Sequence, residues 1–519
     1  MTIIQRFYRI RRTDVIYSIL GGCLFFLSFP SHGRGFIAWI ALVPLFAALR
    51  RKNPVDAFVL GFLFGLVAHI GILYWISYVV VVYGSLPMVG GVGAMLLLSA
   101  YLALYPGAFS LTLSLFQKRG MPLLWIAPPL WCAAEWIKEW MLTGFPWGNL
   151  AYSQYQNLGM IQMADVTGVY GIVFMLVMVN ALLFEVLVAG GDLKRVAGEC
   201  VVCCMLVLCA YGYGVWRTYQ VRQAMNAASP VGVTLVQGNI DQNVKWHPDY
   251  QGETVDIYRR LSLANAPPAG GLTVWPETAA PFYFQDASDL QRRVTETARE
   301  MHSWLLLGSP SYRRDGDETS YRNTAFLLSP DGHLAGRYDK VHLVPYGEYV
   351  PLRRFFPFVN KLAVGIGDFR RGDGFHPLSL AGNHRAGVLI CYEAIFPEYS
   401  RVYKRRGAEL LVNITNDAWF GATSAPYQHL SMTVFRAVEN RVFFVRAANT
   451  GVSAIIDPTG RIAARTGIFE STALKGTARW MNVATPYARY GNIFLYLCLT
   501  WVAALSIMAA ARKEKIEYE

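Results

Sequence analysis

The sequence predicts an α/β domain joined to a bundle of eight transmembrane helices. Three observations carry that prediction. The 519-residue chain is 54% hydrophobic and only 16% charged, with a mean hydropathy of +0.29, too apolar for an ordinary soluble protein. Its long apolar stretches gather in the first 216 residues and near the C-terminus. Between them, residues 217–490 break into short apolar runs separated by turn residues.

The apolar stretches lie at roughly 15–30, 36–49, 56–82, 87–116, 122–142, 160–189, 196–216 and 491–511, and most are long enough to cross a bilayer. The first resembles a signal peptide but ends in "SFPSHGRG" instead of a small-x-small site, so it is expected to stay as an anchor. Basic residues cluster in alternate turns: Arg6, Arg9, Arg11 and Arg12; Arg50, Arg51 and Lys52; Lys118 and Arg119; Lys194 and Arg195; Arg512, Lys513 and Lys515. The intervening turns at 31–35 and 83–86 hold only Arg34. The positive-inside rule then places both termini in the cytoplasm and residues 217–490 outside it. The same placement accounts for much of the +12 net charge without invoking nucleic acid. Within the spans, Gly61 and Gly65 form a small-xxx-small pair suited to close helix packing. "WIAPPLWCAAEWIKEWMLTGFPW" (125–147) carries five tryptophans, expected as an interfacial belt. His69 and Asp165 are ionisable groups at or near membrane depth, expected to meet lipid headgroups or each other.

After a polar helical exit at 217–225, runs such as "VGVTLVQGN", "GGLTVWPE", "SWLLLGSP", "RAGVLICYE", "AELLVNITND" and "RVFFVRAANTG" read as buried strands. "SPDG" and "DPTG" read as turns. Two helices are expected between them, at 286–303 and 428–441. Continuous apolar strands suggest sheets covered on both faces.

Cys391 is the only cysteine in 217–490; the other seven lie in apolar stretches, "CVVCC" at 200–204 among them. It therefore has no disulfide partner within its own domain. No metal cluster, phosphate loop or dinucleotide fingerprint accompanies it. A thiol nucleophile needs a base or a cation nearby. Three charged residues stand at strand ends: Glu277 in "TVWPETAAPFY", Lys340 in "GRYDKVHLVPYGEYVP", and Glu348 eight residues beyond that lysine. Singly, each reads as an ordinary solvated loop charge.

Together, Glu277, Lys340 and Cys391 resemble the Glu-Lys-Cys triad of the nitrilase superfamily. The ordered motifs "WPETAAP", "KVHLVPYGEYVP", "CYEAIFPE" and "NITNDAWFG", set between membrane spans, are similar to the apolipoprotein N-acyltransferase family over essentially the whole chain. The resemblance implies a nitrilase-like αββα sandwich at 217–485, with seven spans in 1–216 and one in 486–519. It implies a bacterial inner-membrane enzyme with a periplasmic catalytic domain, acting as a monomer without cofactor or metal. Its substrates would be a phospholipid acyl donor, phosphatidylethanolamine foremost, and the α-amine of a lipoprotein's N-terminal diacylglyceryl-cysteine. Cys391 would be the nucleophile, Glu277 the general base, and Lys340 the cation that lowers the thiol pKa and stabilises the oxyanion. The Tyr392 N–H would be a second oxyanion donor, Glu348 would hold the triad, and Glu393 would shape the site. Trp246 would stand on a loop near the pocket entrance. Asn413, Asn416 and Asp417 are expected to shape the wall through side-chain-to-backbone bonds, and "FFPFVNKLAVGIGDF" (355–369) to form a mobile lid.

Two other classes remain open on sequence alone. A membrane-tethered amidohydrolase would use the same triad on small C–N substrates, for which the apolar spans are superfluous. A transporter or lipid-binding protein would have no need of Cys391.

Overall fold

The computed structural model describes residues 10–30, 33–190, 194, 196–349 and 369–511. The chain divides into two compact units, one of residues 1–77, 88–218 and 490–519, the other of residues 78–87 and 219–489.

The first unit is helical. Among the described residues, five helices are long and apolar enough to cross a membrane: Pro54–Leu73, Met88–Lys118, Val169–Val188, Ala197–Ala227 and Ile493–Ala511. The other expected spans differ. Arg12–Leu27 has 16 residues, and Leu123–Trp140 carries the charges of Glu135, Lys138 and Glu139. Residues 35–49 are broken into a 3-10 turn, Gly35–Trp39, and a helix, Val43–Leu49. Main chain left open by such a break must find partners inside the protein. Asn180 supplies them: its Nδ2 donates to the Ala38 carbonyl at 2.9 Å and its Oδ1 accepts from the Leu42 N–H at 2.8 Å.

Gly61 and Gly65 do bring helices together. A Cβ at Gly61 would lie 2.5 Å from the Pro106 carbonyl oxygen, and one at Gly65 would lie 2.4 Å from Pro106 Cγ. The tryptophan belt is only partly realised: Trp125 and Trp140 are exposed, whereas Trp131 and Trp147 are core residues. Trp131 packs edge-on to Phe64 and Phe109, and Trp147 stacks on Phe145. His69 and Asp165 do not pair with each other. His69 Nδ1 lies 2.7 Å from the Gly65 carbonyl, while Asp165 takes Arg217 and the Tyr213 hydroxyl, each at 2.6 Å.

Among its described residues the second unit holds twelve strands: β1 (Pro230–Gln237), β2 (Leu272–Val274), β3 (Trp304–Asp315), β4 (Glu318–Leu328), β5 (Leu334–Asp339), β6 (Leu378–Ser379), β7 (Arg385–Ile390), β8 (Leu410–Thr415), β9 (Phe443–Ala448), β10 (Ala454–Ile456), β11 (Ile462–Arg465) and β12 (Thr472–Arg479). They make two six-stranded mixed sheets, ordered β12-β1-β2-β3-β4-β5 and β11-β10-β9-β8-β7-β6.

Side-chain alternation sets the layers. Leu305, Leu307, Phe326 and Leu328 pack with Val255, Val294 and Ala298 of the helices Pro248–Ala264 and Asp289–Met301. The residues between them, Leu306 and Leu327, point the other way and share a small gap with Ala386, Val388 and Val412 of the second sheet. Gly387 lets the helix Pro397–Arg405 lie close on the second sheet's outer face, since a Cβ there would be 2.6 Å from Tyr403 Cγ. The result is the αββα sandwich. The helices Asp289–Met301 and Ala425–Asn440 match expectation. Those at 248–264 and 397–405 were not anticipated.

Candidate active site

Each member of the proposed triad sits just past a strand end, and each segment holds a non-glycine residue in the left-handed region. These are Thr278 after Glu277 (φ 49°), Tyr346 beyond Lys340 (φ 61°) and Cys391 itself (φ 53°). Such strain persists only where surrounding contacts over-determine the backbone, and it gathers at functional sites. The Glu277 turn is fixed by Gly308 of β3, whose N–H donates to the Pro276 carbonyl at 3.2 Å and whose carbonyl accepts from Ala280 at 3.0 Å. A Cβ at Gly308 would lie 2.7 Å from Glu277 Cα, so only glycine lets the turn lie flat on the strand.

The carboxylate of Glu277 is held on both oxygens. Oε1 accepts from Asn323 Nδ2 at 2.7 Å and from Lys340 Nζ at 3.5 Å, and Oε2 accepts from the Asn416 N–H at 3.0 Å. Lys340, 1% exposed, lies between this carboxylate and Glu348, 3.0 Å away. Asn323 also donates to Glu348 at 2.9 Å, so one amide bridges both carboxylates. Burial alone would push the Lys340 ammonium down, but Glu348 and Glu277 outweigh it and hold its pKa above the ordinary lysine value. This lysine stays charged.

Cys391 opens a 3-10 turn, Cys391–Ile395, at the end of β7. Its thiol is pushed above the ordinary cysteine range, chiefly by burial and then by the Glu277 charge; Lys340 and the Thr415 hydroxyl pull it back without prevailing. Lys340 thus lowers the thiol as expected but does not make it a resting thiolate. The arrangement is a thiol beside a carboxylate, poised to pass its proton at the moment of attack.

Glu393 is fully buried and accepts from four donors. Oε1 takes the Val341 and His342 N–H groups at 2.7 and 3.0 Å and the Tyr338 hydroxyl at 2.8 Å, and Oε2 takes the Ile390 N–H at 2.7 Å. It ties the cysteine turn to the lysine loop. Burial lifts its carboxyl to about 7, against the pull of those donors.

Asn413 bonds to main chain, its Nδ2 donating to the Leu389 carbonyl at 2.9 Å. Asn416 and Asp417 depart from expectation: their side chains bind other side chains, Gln242 at 2.7 Å for Asn416 and Arg446 at 2.6 Å for Asp417. Trp246 is half-buried in the loop before the helix Pro248–Ala264. The lid expected at 355–369 lies outside the described residues, save Phe369, which bridges to Tyr321.

Three residues at the site escaped the sequence reading. Asn323, Lys245 and Arg446 are all polar groups at buried positions. Lys245 Nζ donates to the Glu277 carbonyl at 3.2 Å, and burial pushes its ammonium down to about 7. For Arg446, the signal was the lone charge in "FFVRAA" (443–448), where every other strand position is apolar.

Profiles described as "Apolipoprotein N-acyltransferase N-terminal domain" and "Carbon-nitrogen hydrolase" match residues 21–182 and 232–479 respectively. The chain is 48% identical to an apolipoprotein N-acyltransferase of Geobacter metallireducens over 98% of its own length and 97% of the relative's. The chain belongs to the apolipoprotein N-acyltransferase family. A second member, from Methylococcus capsulatus, is 35% identical over 92% of both chains. The two profiles divide the chain much as the folded units do, one falling on the helical unit and the other on the sandwich. Membership in this family favours acyl transfer over the amidohydrolase reading.

Proposed function

We propose that this membrane protein moves an acyl chain from a phospholipid onto the α-amino group of a lipoprotein's N-terminal diacylglyceryl-cysteine, through a thioester on Cys391. The observation that supports it most is the buried Glu277–Lys340–Glu348 cluster around a thiol on which both Glu277 and Lys340 act.

In the first half-reaction Glu277 takes the thiol proton as Sγ attacks an ester carbonyl of the phospholipid. The tetrahedral oxyanion is met by the Lys340 ammonium and the Tyr392 N–H. As it collapses, the ester C–O bond breaks, Glu277 returns the proton to the departing alkoxide, and a lysophospholipid leaves. In the second half, the lipoprotein amine attacks the thioester, Glu277 accepts the amine proton, and the thiol is regenerated as the amide forms. Glu348 and Asn323 keep Lys340 and Glu277 in place, and Glu393 holds the turn that presents Sγ.

Phosphatidylethanolamine is the expected donor. The enzyme acts as a monomer in the bacterial inner membrane, with both termini cytoplasmic and the sandwich periplasmic. Trp246 is assigned to the entrance of the acyl site in this reading.

The test is direct. Purified protein incubated with acyl-labelled phosphatidylethanolamine should carry a hydroxylamine-sensitive label, and Cys391→Ala should carry none. No label on either protein, with folding intact, sinks the mechanism.

A further inference from the structure

Beneath the nucleophile lies a second set of charges that the reaction above does not use. β7, β8 and β9 run parallel, and Leu389, Asn413 and Arg446 are register partners across them. Asn413 Nδ2 reaches the Cys391 carbonyl at 3.5 Å as well as that of Leu389, and its Oδ1 accepts from Arg446 Nη1. Arg446 Nη2 continues to Asp417 Oδ2 at 2.6 Å, and Nε donates to the Val452 carbonyl at 3.3 Å. Asp417 Oδ1 takes the Thr415 hydroxyl at 3.0 Å and lies 3.2 Å from His429 Nδ1. Asn413 and Arg446 are fully buried, and Asp417 and His429 are 1% exposed. Gly451 closes the far side, since a Cβ there would lie 2.2 Å from Asp417 Oδ2.

A buried carboxylate beside a thiol opposes thiolate formation, and Asp417 acts on Cys391 in that sense. Burial pushes Asp417 itself up, yet Arg446 and His429 hold it below the usual carboxylate range, so it stays ionised. Its negative charge must be neutralised locally, and the guanidinium does this while gripping Asn413. Only a planar fork can hold both partners at once.

We propose that Arg446 is a positioning residue for the acyl transfer: through Asn413 it holds the Cys391 main chain in its left-handed turn, and by pairing with Asp417 it offsets a carboxylate charge that would otherwise oppose the nucleophile more strongly. The inference rests on Cys391 being that nucleophile. The groups that act on the thiol are Glu277 from the loop after β2, Lys340 from the end of β5, and Asp417 and the Thr415 hydroxyl from the end of β8. Glu393 and His429 reach the main chain of the same turn.

Alkylation of Cys391 tests this without requiring acyl transfer. Full-length protein in detergent is treated with iodoacetamide over a pH series, and modification is read by mass spectrometry on the peptide containing Cys391. Arg446→Met should need a higher pH to reach a given rate, with a loss of about tenfold for each unit of displacement. Asp417→Asn should move the profile the opposite way, and the double variant should fall near the wild type. Arg446→Lys keeps the charge but not the fork, so its alkylation profile should stay close to wild type while acyl-enzyme formation slows. Should Arg446→Met fail to fold, Asp417→Asn and Arg446→Lys carry the test alone. Profiles that do not move, or that move together for Arg446→Met and Asp417→Asn, overturn the proposal. Acyl label surviving in Cys391→Ala would instead remove the nucleophile on which it rests.

Discussion

Replacing Glu348 by glutamine removes one of the two carboxylates that flank Lys340 while keeping the side chain's size. In the native protein Glu348 lies 3.0 Å from the ammonium, accepts from Asn323 at 2.9 Å and from the Val344 N–H at 2.8 Å. Glutamine can keep only part of that set, because its amide nitrogen must face a donor. The ammonium then leans toward Glu277, now at 3.5 Å, and that carboxylate becomes a worse base. A hydrogen bond to a charged group contributes roughly 1.5–3 kcal/mol. If that loss passes wholly to the barrier, thioester formation slows by about tenfold to about 150-fold. The assay is single-turnover labelling by phosphatidylethanolamine, with thermal unfolding measured alongside. The reasoning fails if Glu348→Gln labels at the native rate, or if its loss of rate is matched by a loss of folded protein.

Other perturbations follow from the same geometry. Asn323→Leu removes the amide bridging two carboxylates and should slow thioester formation at least as much as Glu348→Gln, again by single-turnover labelling. Glu393→Gln sets an amide against a ring of four donors and should lower stability by about 1–3 kcal/mol, read as a drop in unfolding midpoint together with loss of labelling. Lys245 binds its proton more weakly in the folded chain than unfolded. Between its folded value of about 7 and the ordinary lysine value the unfolded chain holds the extra proton, so this residue's contribution to stability falls as pH drops across that range. Lys245→Met should flatten that slope and raise stability near pH 7; an unchanged slope between neutral and alkaline unfolding curves would falsify the assignment. Gly65→Leu drives a side chain into Pro106 and should cost about 1–3 kcal/mol or more, seen as a lower unfolding midpoint of the intact protein.

What could be read from the sequence, and what could not, divides along physical lines. Apolar runs bounded by turns gave β1, β2, β3, β7, β8 and β9, because a strand buried on both faces needs no partner to be recognised. The edge strand β12 and the short β6 and β11 were missed; their half-exposed patterns resemble loop. The three residues of the proposed triad were legible only through motifs, since a strand-end charge looks like any solvated charge until the opposing sheet is in place. Asn323 and Arg446 were hidden for a related reason. Each belongs to a strand whose apolar neighbours announce the core, and only the neighbouring strand reveals what a polar side chain is holding there. The tryptophans between 125 and 147 misled because composition cannot tell a lipid-facing indole from one packed among Phe64 and Phe109.

The segment 78–87 belongs with the sandwich although it lies between two apolar helices in the chain. Tyr83 donates its hydroxyl to the Ala418 carbonyl at 3.0 Å and sets its ring edge-on to Trp419 at 4.8 Å. A Cβ at Gly421 would lie 2.6 Å from the Tyr78 ring. The loop that begins with Asn416 and Asp417 therefore leans on residues more than three hundred positions earlier. A fragment cut at 219–489 would keep the strands described above yet lack a piece of its own wall, and Glu277 would lose the footing that the Asn416 N–H provides. Synthesis runs in the favourable direction: the tyrosines are already made before the loop that needs them leaves the ribosome.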